Sequence, residues 1–357
     1  MDWLLSLAYM LQKDYYPILV VLSFVALAFS KHRKTFMVAL VVVLLLTPTL
    51  KTFYQEERPD STVVAGGCAD SRFPSDEFGF PSGHAVTSIL LAAATLGSFA
   101  FFFFLPVSVF IGFSRVYLGC HSINQVIAGI SLGFLIYFIL QRFNIEGRRK
   151  VINLKDKLKS TESTEIGRQL IHIIAGFGFI WLLYWLSSSP GIDAFGVSQV
   201  EMILLAVLMW GLIIINMKML GMNIGPLESV LKKYDRKNEL FPGRGPLLYL
   251  VGVLLIISFS KDYAFIPGAL AIFAAGDGFS TLIGRKYGRN TLPWNKYKTW
   301  EGMVAFFVTA SIASYFFIGT IGLVYSAFLA VVETLDFHVD DNLLIPMFAM
   351  AIHIFLG

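Results

Sequence analysis

The sequence predicts an all-α, polytopic integral membrane protein of about twelve transmembrane helices in two helical-bundle domains. Three observations carry this. Of 357 residues, 56% are hydrophobic and 15% charged, against about 25% charged in an ordinary soluble domain. Apolar runs such as Phe36–Leu46, Phe134–Leu140 and Leu250–Phe259 recur from end to end, and in hydrocarbon only helices and closed barrels satisfy every backbone N–H and C=O. Between the runs, basic residues concentrate in alternate gaps.

The apolar segments fall at about 16–30, 35–50, 84–99, 100–113, 123–140, 169–187, 198–216, 246–260, 264–283, 302–318, 320–335 and 343–357. The opening stretch, Trp3 to Leu11, is too short to span and reads as an interfacial or re-entrant helix. It lacks a basic leader, so no cleavable signal peptide is expected. Lys31, His32, Arg33 and Lys34 follow the first span. Residues 142–168 hold eight basic and four acidic residues, 218–244 six and three, and 284–300 five and none. Stepping span by span, these four segments share one side, which the positive-inside rule makes cytoplasmic. Residues 51–83, with three basic and six acidic residues, fall on the other. The expected domains are 1–141 with about five spans, a basic cytoplasmic linker 142–167, and 168–357 with about seven spans. A multi-pass location in the plasma membrane, lipid partners and no nucleic-acid partner follow from this pattern.

Three short motifs in the first half share the outer surface. Lys51 and Arg58-Pro59 form K-x6-RP, Pro81-Ser82-Gly83-His84 opens the third span, and Ser114-Arg115 with His121 forms SR-x5-H. Lys51, Arg58 and Arg115 supply three cations for a doubly charged phosphate, and arginine suits bidentate contact with its oxygens. Ser82 and the Gly83 amide stand at a helix N-terminus, which attracts anions. Two histidines can divide attack on phosphorus from protonation of the leaving oxygen.

These residues resemble the type 2 phosphatidic acid phosphatase family over about residues 15–140. The resemblance implies His121 as nucleophile and His84 as general acid. It implies Lys51, Arg58, Ser82, Gly83 and Arg115 as phosphate ligands, and no cofactor. One position departs from the family's SR-x5-H-x3-D: the last place is Gln125. On a helix residue 125 can touch the residue-121 ring, orienting it without charge. A slowed phosphatase is then expected, or one whose charge comes from elsewhere, with an inactive, binding-only domain as the alternative; if the enzyme is slowed for want of that charge, Asp at 125 should raise phosphate release. Cys68 and Cys120 are either two free thiols or a disulfide. A bridge would tie the 60–80 loop to the active site, on a side where oxidation is favoured if it is extracytoplasmic.

The second half repeats none of these motifs. Its polar residues gather at the cytoplasmic ends of spans: Arg168 and His172, Pro242-Gly243-Arg244-Gly245, Gly276-Asp277-Gly278, Gly284-Arg285, Lys298, Glu301-Gly302, Glu333 and Asp340-Asp341-Asn342. Intramembrane carboxylates are costly and usually functional. Asp277, Glu333 and Asp341 are candidate ligands for a divalent metal, with Asp277 a candidate to deprotonate an alcohol. Arg244, Gly284, Arg285, Lys298 and Glu301 are candidates for a nucleotide, although neither a P-loop nor a Rossmann fingerprint is present. The series GD-x6-GRKYG, K-x2-EG and E-x7-DN-x3-P resembles the dolichol kinase and phytol kinase family over about residues 165–357. That resemblance implies phosphorylation of a long-chain isoprenoid alcohol with CTP and Mg²⁺. Together the halves suggest a bifunctional enzyme of polyprenyl-phosphate recycling. The rivals are a phosphatidate phosphatase joined to a diacylglycerol kinase or cytidylyltransferase, and a lipid flippase without catalysis.

Overall fold

The computed structural model describes residues 3–59, 68, 74–146, 162–188, 191–229, 240–337 and 339–356. The chain is helical: α1 Trp3–Lys13, α2 Tyr15–Phe29, α3 Arg33–Tyr54, α4 Gly83–Thr95, α5 Phe101–Tyr117, α6 Ile123–Glu146, α7 Glu162–Leu186, α8 Ala194–Met219, α9 Arg244–Phe259, α10 Phe265–Tyr287, α11 Trp300–Ile318, α12 Ile321–Thr334 and α13 Asp341–Leu356. Among the described residues, extended pairing is confined to two isolated bridges, Glu57 with Phe78 and Thr291 with Thr299.

Each of the twelve apolar segments coincides with one of the helices α2 to α13. Six helices, α3, α6, α7, α8, α10 and α11, are long and apolar enough to cross a membrane. α1 and α2, bent by 86° at their junction, make a seventh if the pair is one span. α4, α5, α9, α12 and α13 are shorter apolar helices; a helix of α4's length rises only about 20 Å against a hydrocarbon core of about 30 Å. About twelve crossings thus resolve into six to seven full-length candidates and five shorter helices. Large apolar side chains stay exposed along these helices, with Leu45 at 69%, Phe316 at 80% and Phe355 at 87%. On a multi-pass membrane protein such surface faces acyl chains.

The chain divides into two compact units, Met1–Lys150 with Leu212–Asn223, and Val151–Gly211 with Ile224–Gly357. In the first, α4 is central. Its residues from Ala85 to Thr95 are all buried, and it packs against α2, α3, α5 and α6. In the second, α9 is enclosed on almost every side and packs on α13. α10 lies on α7 and α11, and its middle, Ile272–Gly276, is π-helical just ahead of Asp277. Of the expected linker 142–167, residues 147–161 lie outside the described residues. The rest is helix, the end of α6 and the start of α7.

Candidate active sites

In the first unit, α3 carries Lys51 in its last turn and ends at Gln55, whose φ is 48°. The Glu57–Phe78 bridge and a 2.7 Å hydrogen bond from Gly79 N–H to the Glu56 carbonyl lay this exit beside the approach to α4. A Cβ on Gly79 would stand 2.5 Å from the Gln125 amide, so a side chain there would push that amide aside. Ser82 N–H donates to the Gln125 carbonyl at 2.9 Å, which joins the start of α4 to α6.

Lys51 and Arg58 meet on one carboxylate, and His121 stands beside Arg58. Asp76 Oδ1 lies 2.5 Å from Lys51 Nζ and 2.8 Å from Arg58 Nη2, and Arg58 Nε donates to the Asp76 carbonyl at 2.9 Å. Arg58 Nη1 is 2.9 Å from His121 Nε2. His121 Nδ1 is 3.1 Å from Gln125 Oε1, and Gln125 Nε2 donates to Glu56 Oε1 and to the Glu57 carbonyl, each at 2.9 Å. Arg115 Nη1 bonds to Gln12 Oε1. Ser82 Oγ, His84 Nε2, and Arg115 Nε and Nη2 are buried with no hydrogen-bond partner among the described residues. An unmet buried donor costs about 1–3 kcal/mol, and an oxyanion is a ligand that such donors could satisfy. Burial first, then the charges of Arg58, Arg115 and Lys51, hold the His121 pKa well below the ordinary imidazole value, against the Gln125 hydrogen bond. The environment therefore favours the neutral ring, the form that can act as a nucleophile.

Cys68 and Cys120 are joined in a disulfide. It packs with Ala8, Leu5 and Tyr9 of α1 and with Leu118, and Gln12 Nε2 donates to the Cys68 carbonyl at 3.1 Å. α1 therefore closes over the site. The Tyr15 ring lies 3.9 Å from the His84 ring, and its hydroxyl bonds Thr87.

In the second unit, the nearest carboxylate oxygens of Asp277, Glu333 and Asp341 lie within 4.8 Å of one another. Lys298 bonds Glu333 and reaches Asp341 Oδ2 at 3.0 Å. A compact loop presents it: Asn295 Nδ2 donates to the Thr334 carbonyl at 2.9 Å, and Trp294 Nε1 to Thr334 Oγ1 at 3.1 Å. Burial works against the Lys298 charge, yet Asp341 and Glu333 outweigh it and hold the ammonium above its ordinary pKa. His172 Nε2 stands 3.6 Å from Asp277 Oδ2. Hard oxygens in this number suit Mg²⁺, so the donor set fits the ion.

The remaining predicted residues are spread around this centre. Arg244 pairs with Asp340 at 3.5 Å, beside Asp341 in the chain. Arg285 lies 3.5 Å from the buried Glu165, which also pairs with Arg168. Gly284 faces Gly302, where an added Cβ would meet the Gly302 Cα at 3.4 Å; it sits at a close crossing of α10 and α11. The Glu301 carboxylate accepts from the Asn290 N–H and side-chain amide, at 2.9 to 3.3 Å, and so ties down the turn before Lys298. Sequence reading did not single out Gln12, Tyr15, Glu56, Asp76 or Glu165. The acidic excess of residues 51–83 was the available signal for Asp76 and Glu56. Nothing local marks the other three.

Comparison with known proteins separates the same two regions. Residues 34–147 match the PAP2 superfamily. A chloroplastic farnesol kinase of Arabidopsis thaliana is 29% identical over 202 residues, 50% of this chain and 62% of the relative. A probable chloroplastic phytol kinase 2 of Oryza sativa subsp. japonica is 29% identical over 205 residues, 51% and 63% of the two chains. An uncharacterized protein of Methanocaldococcus jannaschii is 33% identical over 114 residues, 31% and 58%. The chain spans less than two thirds of the length of these relatives, and no solved structure matches it. The plant relatives are named as chloroplastic, which lends the expected plasma membrane no support. The chain carries a PAP2 superfamily region at 34–147 and, across its later region, homology to phytol and farnesol kinases.

Proposed function

We propose that this chain is a bifunctional lipid-phosphate enzyme: a polyprenyl (pyro)phosphate phosphatase at 1–141 and a CTP-dependent polyprenol kinase at 168–357, joined by the segment 142–167. The observation that carries it is the pairing, in one chain, of the Lys51, Arg58 and His121 cluster with a carboxylate trio beside Lys298.

In the phosphatase half, Lys51, Arg58, Arg115, Ser82 and the Gly83 amide hold the phosphate oxygens, and Asp76 Oδ1 marks where one such oxygen sits. His121 Nε2 attacks phosphorus, the bond to the lipid oxygen breaks, and His84 protonates that oxygen. In the kinase half, Asp277, Glu333 and Asp341 would hold Mg²⁺, which supplies positive charge to the triphosphate when bound. Arg244, Arg285 and Lys298 are the proposed triphosphate contacts. His172 and Asp277 stand ready to take the proton of the lipid alcohol. The charge distribution supports opposite faces for the two chemistries, the phosphatase away from the basic segments and the kinase among them. A neutral alcohol crosses hydrocarbon far more easily than a phosphate, so such an arrangement would recover a lipid carrier after its use on the far side.

The test is purified protein in nanodiscs, given γ-labelled CTP with polyprenol or diacylglycerol, and separately a labelled polyprenyl phosphate. Label in polyprenyl phosphate together with release of phosphate supports the reading. Label in phosphatidate supports the glycerolipid rival, and label in neither lipid with no phosphate release overturns catalysis. Substituted cysteines in 51–83 and 284–300, probed in sealed vesicles, test sidedness; equal labelling from one side refutes it.

A further inference from the structure

The orientation of the Gln125 amide follows from its partners. One end lies 2.9 Å from both Glu56 Oε1 and the Glu57 carbonyl. Both are acceptors, so that end is the NH₂. The other end is then the carbonyl oxygen, which takes the Ser122 N–H at 3.2 Å and faces His121 Nδ1 at 3.1 Å. A carbonyl oxygen only accepts, so Nδ1 carries the ring proton and Nε2 carries the lone pair. Nε2 faces Arg58, whose other nitrogen holds the Asp76 carboxylate. The reactive nitrogen therefore points at the anion position.

We propose that Glu56 stabilises the positive charge that develops on His121 during phosphoryl transfer, acting through the Gln125 amide. This rests on the phosphatase reading and adds a residue to it. As Nε2 forms the N–P bond, the P–O bond to the lipid breaks. The leaving oxygen keeps the bonding pair and takes a proton from His84. The imidazole retains its Nδ1 proton and gains one positive charge. Gln125 Oε1 can accept from that ring but brings no net charge of its own. Glu56 supplies the charge, held against the far end of the same amide. Water then attacks phosphorus and returns its proton to His84; the N–P pair goes back to Nε2, phosphate leaves, and the ring is neutral again. Glu56 is thus a positioning residue, and Gln125 is the link that transmits its field.

Glu56→Gln keeps the size of the side chain and removes the charge. The expected loss in kcat for phosphate release is about 10- to 100-fold, the effect of removing a unit charge held one amide group beyond the ring at an effective dielectric constant of about 20. KM is expected to stay within about twofold, because the change acts on the transition state. The second variant is the double substitution Glu56→Gln with Gln125→Glu, which moves the carboxylate next to the ring. It is expected to recover at least about tenfold of the lost kcat. A loop that had merely been disturbed would not be rescued by a further substitution. The proposal is overturned if E56Q retains wild-type kcat, or if the double variant is no faster than E56Q. A wild-type protein that releases no phosphate and traps no label on His121 overturns the phosphatase reading itself, and is distinguished by failing before any substitution is made.

Discussion

Asp76→Asn is the sharpest probe of the proposed phosphate site. In the structure the carboxylate takes two charge-assisted contacts, from Lys51 at 2.5 Å and Arg58 at 2.8 Å. An entering phosphate must displace it or share those cations with it. Each such contact is worth about 1.5–3 kcal/mol, but the Asp76 side chain is 26% exposed and regains hydration when displaced. Phosphate takes over the same two cations, so most of that cost is returned; a remainder on the order of 1.4 kcal/mol corresponds to about tenfold in affinity. The neutral variant should therefore be inhibited by inorganic phosphate at about tenfold lower concentration. It should also be less stable without ligand, by about 2–3 kcal/mol, a partial-exposure discount on the 3–5 kcal/mol for breaking a buried pair, because Lys51 and Arg58 are left at 6% and 9% exposure without the carboxylate. Arg58 stays in place through its Nε contact to the Asp76 carbonyl, which the substitution leaves intact. The assays are inhibition of lipid-phosphate hydrolysis by phosphate, and thermal unfolding in detergent across a phosphate titration. D76N should gain more in Tm from phosphate than the wild type does. Phosphate binding to D76N that is equal to or weaker than wild type would refute the idea that Asp76 occupies the anion position.

Four further outcomes are expected. Asp277→Asn should abolish CTP-dependent lipid phosphorylation, by at least about 100-fold, while phosphate release is unchanged; retained kinase activity would remove Asp277 from the mechanism. With the His121 pKa held below its ordinary value by burial and the three cations, the acid limb of kcat/KM should lie well below pH 6.5. By the same sign, the unfolded chain takes up a proton that the folded one refuses, so stability is full above about pH 6.5 and falls as pH drops below it; an acid limb near pH 6.5 argues against a buried nucleophile. Gln125→Asp should give little or no gain while Glu56 is present, because it deletes the amide donor to Glu56 and sets two carboxylates together, whereas the same change with Glu56→Gln should be faster than E56Q alone. Cys68→Ser, or reduction, should lower phosphatase activity and leave the kinase untouched, because the bridge and α1 meet over the His121 site; equal loss of both activities would point instead to general unfolding.

Helix content, the positions of twelve apolar segments and the residue types at both sites were legible in the amino-acid order. They depend on local patterns: an apolar run that must close its own hydrogen bonds, cations before a helix start, carboxylates where hydrocarbon would forbid them. The lengths of α4, α5, α9, α12 and α13 were less legible, since apolar composition does not tell a buried short helix from a full crossing. Other features exist only once the chain is folded. Asp76 meets Lys51 and Arg58 because a 3₁₀ turn at Pro74–Glu77 brings it back over α3. Glu56 reaches Gln125 because the Glu57–Phe78 bridge and Gly79 press two distant loops together. Glu165 falls in the segment that its composition marks as a linker, yet α7 begins early enough to bury it beside Arg168 and Arg285. By itself the sequence determined which groups the chain owns and the elements that carry them. Tertiary structure alone decided which group faces which: a hydrogen bond is settled within about 3 Å, whereas a sequence pattern places a residue only to within a helical turn.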